Sequence, residues 1–270
     1  LDVAALTRNL ARLVERHAAL RTTFIPLDGE PMQWVSRHVD APLPLHDLSA
    51  LPAPEREALA REQLAALAIE TFNLETGPLL RGGVWRMGEN DHVVALVVHH
   101  IVSDGWSLEL LVRELCEGDA DTYAAPEPLQ YVDYAAWQRK RMDSGEFEPQ
   151  RRYWHEAIAE PPLPLSLPLD RPRGALHSFC GSRQRIALAA DTHAAMLAFA
   201  ARNGASPFMV MLAAWNLLLH RWCGQDDIIV GVPVAGRQHP QLERMLGVFV
   251  NTLPLRTRLA DADGFEALLQ

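Results

Sequence analysis

The chain has 270 residues, 49% apolar and 22% charged, with a formal net charge of −9, enough for one large globular domain or two smaller ones. The acidic balance argues against phosphate-backbone binding as the main activity, since nucleic-acid binders carry a basic excess or stripe. No run approaches about 18 uninterrupted apolar residues, and the opening LDVAALTRNLARL has internal arginines and no signal-peptide layout, so the chain reads as cytoplasmic and without a membrane partner.

In chain order, Val3, Leu6, Leu10, Leu13 and Val14 sit at helical spacing behind Asp2, which predicts a capped amphipathic helix over about 3–19. Thr22 to Phe24 and Gln33 to Val39 favour strands, and a helix is expected over about 54–70. LLRGGVWRM, the turn GEND and HVVALVVHH predict a hairpin-like pair; its second strand, valine-rich on both faces, should be central in its sheet. Leu108, Leu111, Val112 and Leu115 then return to helical spacing, so VVHHIVSDGWS (97–107) is a strand-loop-helix junction. Helices over about 131–145 and 149–159 lead to the Pro-rich run PPLPLSLPLDRPRG (161–174), an extended connector where a boundary is expected. Beyond it come a strand near 182–188, a helix over 191–203 closed by Gly204, and a helix from Pro207 to Cys223. This last is capped by Ser206, stopped by Gly224 and apolar enough all round to be buried. DIIVGVPV and GVFVNTLPLRTRL are two further strands, and a helix starts near Gly264. Two α/β lobes are the economical reading.

Cys116, Cys180 and Cys223 are far apart, odd in number and form no CxxC pair, so they are expected as small buried hydrophobes rather than disulfide or zinc partners. The basic cluster Arg139, Lys140, Arg141, Arg151 and Arg152 reads as a solvated helix face.

The chemistry concentrates at the junction. Side chains alternate along a strand, so His99 and His100 cannot both face one pocket. Metal binding is disfavoured because a third nearby ligand is not apparent. There is no GxSxG elbow, and Ser107 stands where a first-turn capping hydroxyl would be; no phosphate-binding glycine loop exists either. What remains is one histidine acting as general base or hydrogen-bond partner, with Gly105 allowing close backbone approach to a ligand. Asp104 is either a helix N-cap or a carboxylate holding the loop through an arginine, and spacing does not choose.

HHIVSDG (99–105) matches the HHxxxDG motif of the condensation domains of nonribosomal peptide synthetases, within an acyltransferase superfamily that resembles chloramphenicol acetyltransferase. RHAALRTTF (16–24) resembles the family's RHExLRTxF stretch with alanine in place of glutamate, YVDYAAW (131–137) its YxDYAxW stretch, and GVFVNTL (247–253) its GxFVNT stretch. The LPLDRPR connector and the GVPVAGR turn add to the match, which spans essentially the whole chain.

The resemblance implies an α/β fold of two chloramphenicol-acetyltransferase-like lobes in a V-shaped pseudo-dimer, with a tunnel between them. A lobe over 1–165 would carry HHxxxDG, 166–175 would be the connector, and 176–270 would be a partial second lobe. The family's first motif should lie upstream of Leu1 and its last motifs beyond Gln270, so the second lobe is expected to be incomplete and this stretch alone is not expected to carry full activity. The implied reaction joins a donor aminoacyl or peptidyl thioester to an acceptor aminoacyl thioester. Upstream and downstream peptidyl carrier domains deliver both on phosphopantetheine arms, in a synthetase that also holds adenylation domains; the domain itself needs no bound cofactor or metal. An activated thioester needs no enzyme nucleophile, and an α-amine with a reference pKa of about 7.7 to 8.0 needs no strong base.

By position in the motif, His100 is the expected tunnel-facing catalytic residue, His99 packs and orients the loop, and Gly105 lies beside the reacting centre. Asp104 is expected to be structural and paired with Arg21, Asn251 to lie in the tunnel or just behind it, and Trp106 and Ser107 to pack and cap. Two other readings are an O-acyltransferase of the same superfamily, using acyl-CoA or a carrier, and a non-catalytic carrier-docking module.

Overall fold

The structure, a computed structural model, describes residues 1–117, 129–172, 174, 181–259 and 264–269. By backbone contact it divides into two compact units, 1–147 with 234–251, and 148–233 with 252–270. The division falls after Phe147 rather than in the Pro-rich run, and the segment Val234–Asn251 belongs with the first unit although both neighbouring stretches belong to the second.

In the first unit, α1 (Val3–Arg16) starts where the Asp2 side chain accepts from the Ala5 amide at 2.8 Å, and it buries Leu6, Leu10, Leu13 and Val14 along one face. A 3-10 turn over Ala18–Arg21 leads into the antiparallel pair β1 (Thr22–Leu27) and β2 (Glu30–Val35). Asp28 and Gly29 both take positive φ, 53° and 86°, the conformation a two-residue hairpin turn requires. β3 (Leu45–Asp47) runs parallel to β4 (Leu80–Arg86), which pairs antiparallel with β5 (His92–Val98).

The order β3-β4-β5 makes β4 the middle strand, so β5, expected to be central, stands at the edge of this sheet among the described strands. Two glycines in β4 disguise its place: a Cβ at Gly82 would fall 2.6 Å from the Ala95 carbonyl oxygen and as close to the Leu96 side chain. Leu59, Leu64 and Leu67 of α2 (Ala53–Ile69) pack around the buried Trp85 and Met87, and Trp85 Nε1 donates to Gln63 at 2.7 Å. The main core joins α1 to Leu79, Leu80 and Val84 of the sheet region and to Leu110, Leu111 and Leu115 of α3 (Gly105–Glu117). α4 (Tyr131–Asp143) begins at a reciprocal cap, in which the Asp133 carboxylate accepts from the Gln130 amide at 2.8 Å.

The second unit holds α5 (Glu148–Ala157), α6 (Ala190–Arg202), α7 (Pro207–Cys223), the paired strands β6 (Asp227–Val234) and β7 (Asn251–Arg258), and α8 (Phe265–Leu269). Ser206 and Gly224, the latter at φ 66°, bound α7 as its sequence predicts. It is not buried all round, however. Val210, Ala213, Asn216 and Leu219 face inward while Phe208, Met211, Trp215 and Trp222 are exposed. The strand expected near 182–188 does not form among the described residues: this stretch has no assigned helix or strand and is exposed throughout. Cys116 is exposed and Cys223 half-buried, not core residues, and Cys180 lies outside the described residues. Arg139, Lys140, Arg151 and Arg152 are solvated as expected, with Arg151 paired to Glu148, whereas Arg141 is half-buried against the Trp137 and Phe147 rings and paired to Glu146. No described helix is long and apolar enough to cross a membrane.

Candidate active site

β5 ends at Val98, yet the His99 amide still donates to the Leu79 carbonyl at 2.9 Å, so strand alternation persists one residue further and the two histidines diverge. His99 is half-buried. Its Nδ1 accepts from the Ile101 amide at 3.0 Å, and its ring stands perpendicular to Phe72 with centroids 5.7 Å apart. His100 is exposed in the turn that follows, and its ring has no hydrogen-bond partner among the described residues.

The rest of the loop is held tightly. Asp104 is 3% exposed and caps α3, its Oδ1 accepting from the Ser107 amide at 2.8 Å. The same carboxylate meets an arginine, so it fills both roles that spacing left open. That arginine is Arg237: its guanidinium lies 3.2 Å from Asp104 Oδ1, with side chains only 2% and 4% exposed. Asp104 Oδ2 accepts from the Phe249 amide at 2.9 Å. Burial works to raise the Asp104 carboxyl, but donation from the Phe249 and Ser107 amides and the Arg237 charge outweigh it and hold the group below the usual carboxylate range. Burial also lowers Arg237, against the attraction of Asp104, but an arginine keeps its charge.

The expected Asp104–Arg21 pair is thereby corrected. Arg21 donates instead to the carbonyls of Val14 at 2.9 Å, Glu15 at 3.2 Å and Ser36. From the end of the 3-10 turn it meets the free carbonyls in the last turns of α1, which attract a cation. Arg237 stands in the GVPVAGR turn, a motif stretch that carried none of the expected site residues. Its one local signal is an arginine directly after a Gly that the backbone cannot spare.

Gly236 takes φ 68°, and a Cβ there would overlap the Phe249 carbonyl oxygen. Arg237 further donates to the carbonyls of Leu242 and, at 2.7 Å, Met245, and its guanidinium lies 4.0 Å from the Phe249 ring centroid. Ser107 is fully buried and does more than cap. Its hydroxyl donates to the Gly247 carbonyl at 2.8 Å and accepts from the Gly247 amide at 3.1 Å and from Arg237 at 2.8 Å. Trp106 is exposed on one side while its Nε1 donates to the Glu243 carbonyl at 2.9 Å. Tyr131, whose hydroxyl donates to the Val248 carbonyl at 2.8 Å, has its ring where a Gly247 Cβ would be. Burial raises Tyr131 above the usual phenol value, so it is a neutral donor.

Gly105 contrasts with Gly236 and Gly247: a Cβ there would meet nothing within 4 Å, so the space beside it is open. Asn251 opens β7 two residues beyond Phe249 and is exposed. A separate cavity of about 350 Å³ lies between α4 and the 239–245 stretch, lined by Tyr134, Trp137, His239 and Met245 among others, and no residue of the HHxxxDG stretch lines it. Among the described residues no three His, Cys, Asp or Glu side chains cluster as a metal site would require. The arrangement offers one exposed imidazole, without a hydrogen-bond partner among the described residues, on a braced loop beside open backbone.

The model of the condensation domain family matches residues 1–270. The chain is 42% identical, over its full length, to part of a linear gramicidin synthase of Brevibacillus parabrevis, and 41% identical over 96% of its length to phosphinothricin tripeptide synthetase PhsC of Streptomyces viridochromogenes. It spans 4% and 24% of those two proteins. Among solved structures it is similar over its whole length to the X-domain from teicoplanin biosynthesis, with TM-score 0.89 and 27% identity. It is similar also to the first condensation domain of the CDA synthetase, with TM-score 0.74 and 25% identity. It covers 61% and 65% of those chains. The expected α/β fold class is therefore borne out, and the chain belongs to the condensation domain family.

Proposed function

We propose that the protein to which this chain belongs forms amide bonds between two carrier-borne substrates. A donor aminoacyl or peptidyl thioester arrives on the phosphopantetheine arm of an upstream carrier, and an acceptor aminoacyl thioester on that of a downstream carrier. The setting is a cytoplasmic multidomain synthetase that also contains adenylation domains. The relatives named as gramicidin and tyrocidine synthases support this reading. The observation that carries it is the His100 imidazole, exposed and without a described hydrogen-bond partner on a loop whose neighbours are almost all bonded.

In this mechanism His100 orients the acceptor amine and accepts its proton as the nitrogen attacks the donor carbonyl. The new C–N bond forms, the donor C–S bond breaks, and the departing thiol takes up the proton. Gly105 leaves room for the acyl group beside the turn, while Asp104, Ser107 and Arg237 keep the loop still without touching substrate. Asn251 is assigned to the tunnel wall. The test is amide formation by the full-length synthetase with both carriers loaded. Loss of product in His100→Ala is expected, and wild-type turnover would remove the assignment.

A second reading, a docking module, is favoured by the likeness to the X-domain solved in complex with OxyB, with TM-score 0.87 and 29% identity. Carrier binding without amide product in the same assay would establish it, and ester formation with alcohol acceptors would establish the O-acyltransferase reading.

A further inference from the structure

The ring of His99 touches the turn that carries His100 on one side and Phe72 on the other, and behind Phe72 stands Arg81. Arg81, in β4, donates through Nε to the Leu67 carbonyl at 3.1 Å and also to the Glu70 carbonyl, capping the C-terminal end of α2. So anchored, its guanidinium lies 3.9 Å from the centroid of the Phe72 ring, the distance of a cation–π contact. Phe72 in turn meets His99 at 90°. His99 then closes the turn twice, through Nδ1 to the Ile101 amide at 3.0 Å and through its carbonyl, which accepts from Val102 at 3.1 Å.

Because Nδ1 accepts, the ring proton of neutral His99 sits on Nε2, and rotation of the ring would break the bond that shapes the turn. The ring is therefore oriented from behind by Phe72, whose own position is set by Arg81.

We propose that Phe72 is a positioning residue for His100, acting through the ring of His99, with Arg81 as its support. This rests on the reaction assigned to His100 above. The prediction is specific to an aromatic ring at 72: leucine keeps apolar bulk in the core but offers no flat face to His99.

The test is a comparison of Phe72→Leu, Phe72→Tyr and Arg81→Met in the full-length synthetase with loaded carriers, reading kcat and the acceptor KM separately. Displacement of a reacting group from outside the site costs roughly ten- to a hundred-fold, so Phe72→Leu should lower kcat by that amount at unchanged KM. Phe72→Tyr should restore kcat to within a few-fold, and Arg81→Met, which leaves the ring but removes its anchor, should fall between. Thermal melts of each variant identify any that fails to fold, and Arg81→Met carries the test if Phe72→Leu does. Equal kcat in Phe72→Leu and wild type, or equal loss in Phe72→Leu and Phe72→Tyr, overturns the proposal. If His100→Ala turns over normally the assigned reaction fails, whereas an inactive His100→Ala beside a fully active Phe72→Leu removes only the positioning role.

Discussion

The guanidinium of Arg237 lies 3.2 Å from the carboxylate of Asp104, and both side chains are almost wholly withdrawn from water. Breaking such a pair strands a charge in a poorly solvating interior, so Arg237→Ala should cost about 3–5 kcal/mol. Arg237→Lys should recover only part of this, because an ammonium cannot reach Asp104, Ser107 and the Met245 carbonyl together. Chemical denaturation of the three proteins measures it, and a stable Arg237→Ala would contradict it.

The same carboxylate sets a pH dependence. Asp104 is held below the ordinary aspartate value of about 3.9, so its contribution is present above that value and is lost as pH falls through the lower folded-state value. The stability difference between wild type and Asp104→Asn should be constant near neutrality and shrink as pH falls through and below the ordinary aspartate value. A difference independent of pH would show that Asp104 titrates alike in the folded and unfolded chain and is not held below its ordinary value.

Three glycines should separate structure from activity. Gly236→Ala and Gly247→Ala drive a methyl into the Phe249 carbonyl oxygen and the Tyr131 ring respectively, and should lower the melting temperature. Gly105→Ala meets no described atom within 4 Å beyond its chain neighbours and its own helix backbone, so its melting temperature should hold while amide formation drops. Full activity in Gly105→Ala would mean that the open space beside it is not used by substrate.

The two histidines should behave oppositely. His100→Ala should change stability by less than about 0.5 kcal/mol, as surface substitutions do, and lower amide formation roughly 10²- to 10⁴-fold. His99→Ala deprives the Ile101 amide of its acceptor and should cost about 1–3 kcal/mol in stability. Paired melts and single-turnover assays test both; a reversed pattern would exchange their roles.

Local signals in the sequence served well where the physics is local. The Asp2 cap of α1, the Ser206 and Gly224 bounds of α7 and the β4–β5 hairpin each depend on residues a few positions apart, and each stands where periodicity placed it. The errors share a different origin. Valine on both faces of β5 records cover on both faces, not a neighbour on each edge, so composition could not distinguish a middle strand from an edge. Apolar side chains all round α7 likewise say what the helix could bury, while Trp215 and Trp222 remain exposed. At the site, the motif located His100 and Asp104, but the partner of a buried carboxylate is fixed by tertiary approach. Arg21 and Arg237 are equally plausible on paper until the end of α1 is seen to occupy the first.

The bonds that reach Asp104, Trp106 and Ser107 from the 234–251 segment span 130 to 145 residues of sequence. Loop closure over such distances is slow and cannot be replaced by local structure. During vectorial synthesis at about 5–20 residues per second, Asp104 waits on the order of ten seconds for Phe249 to be made. The first unit can thus gather its helices and sheet early, but the His100 turn acquires its outer brace last, and a nascent chain halted before Arg237 would hold the motif without the site.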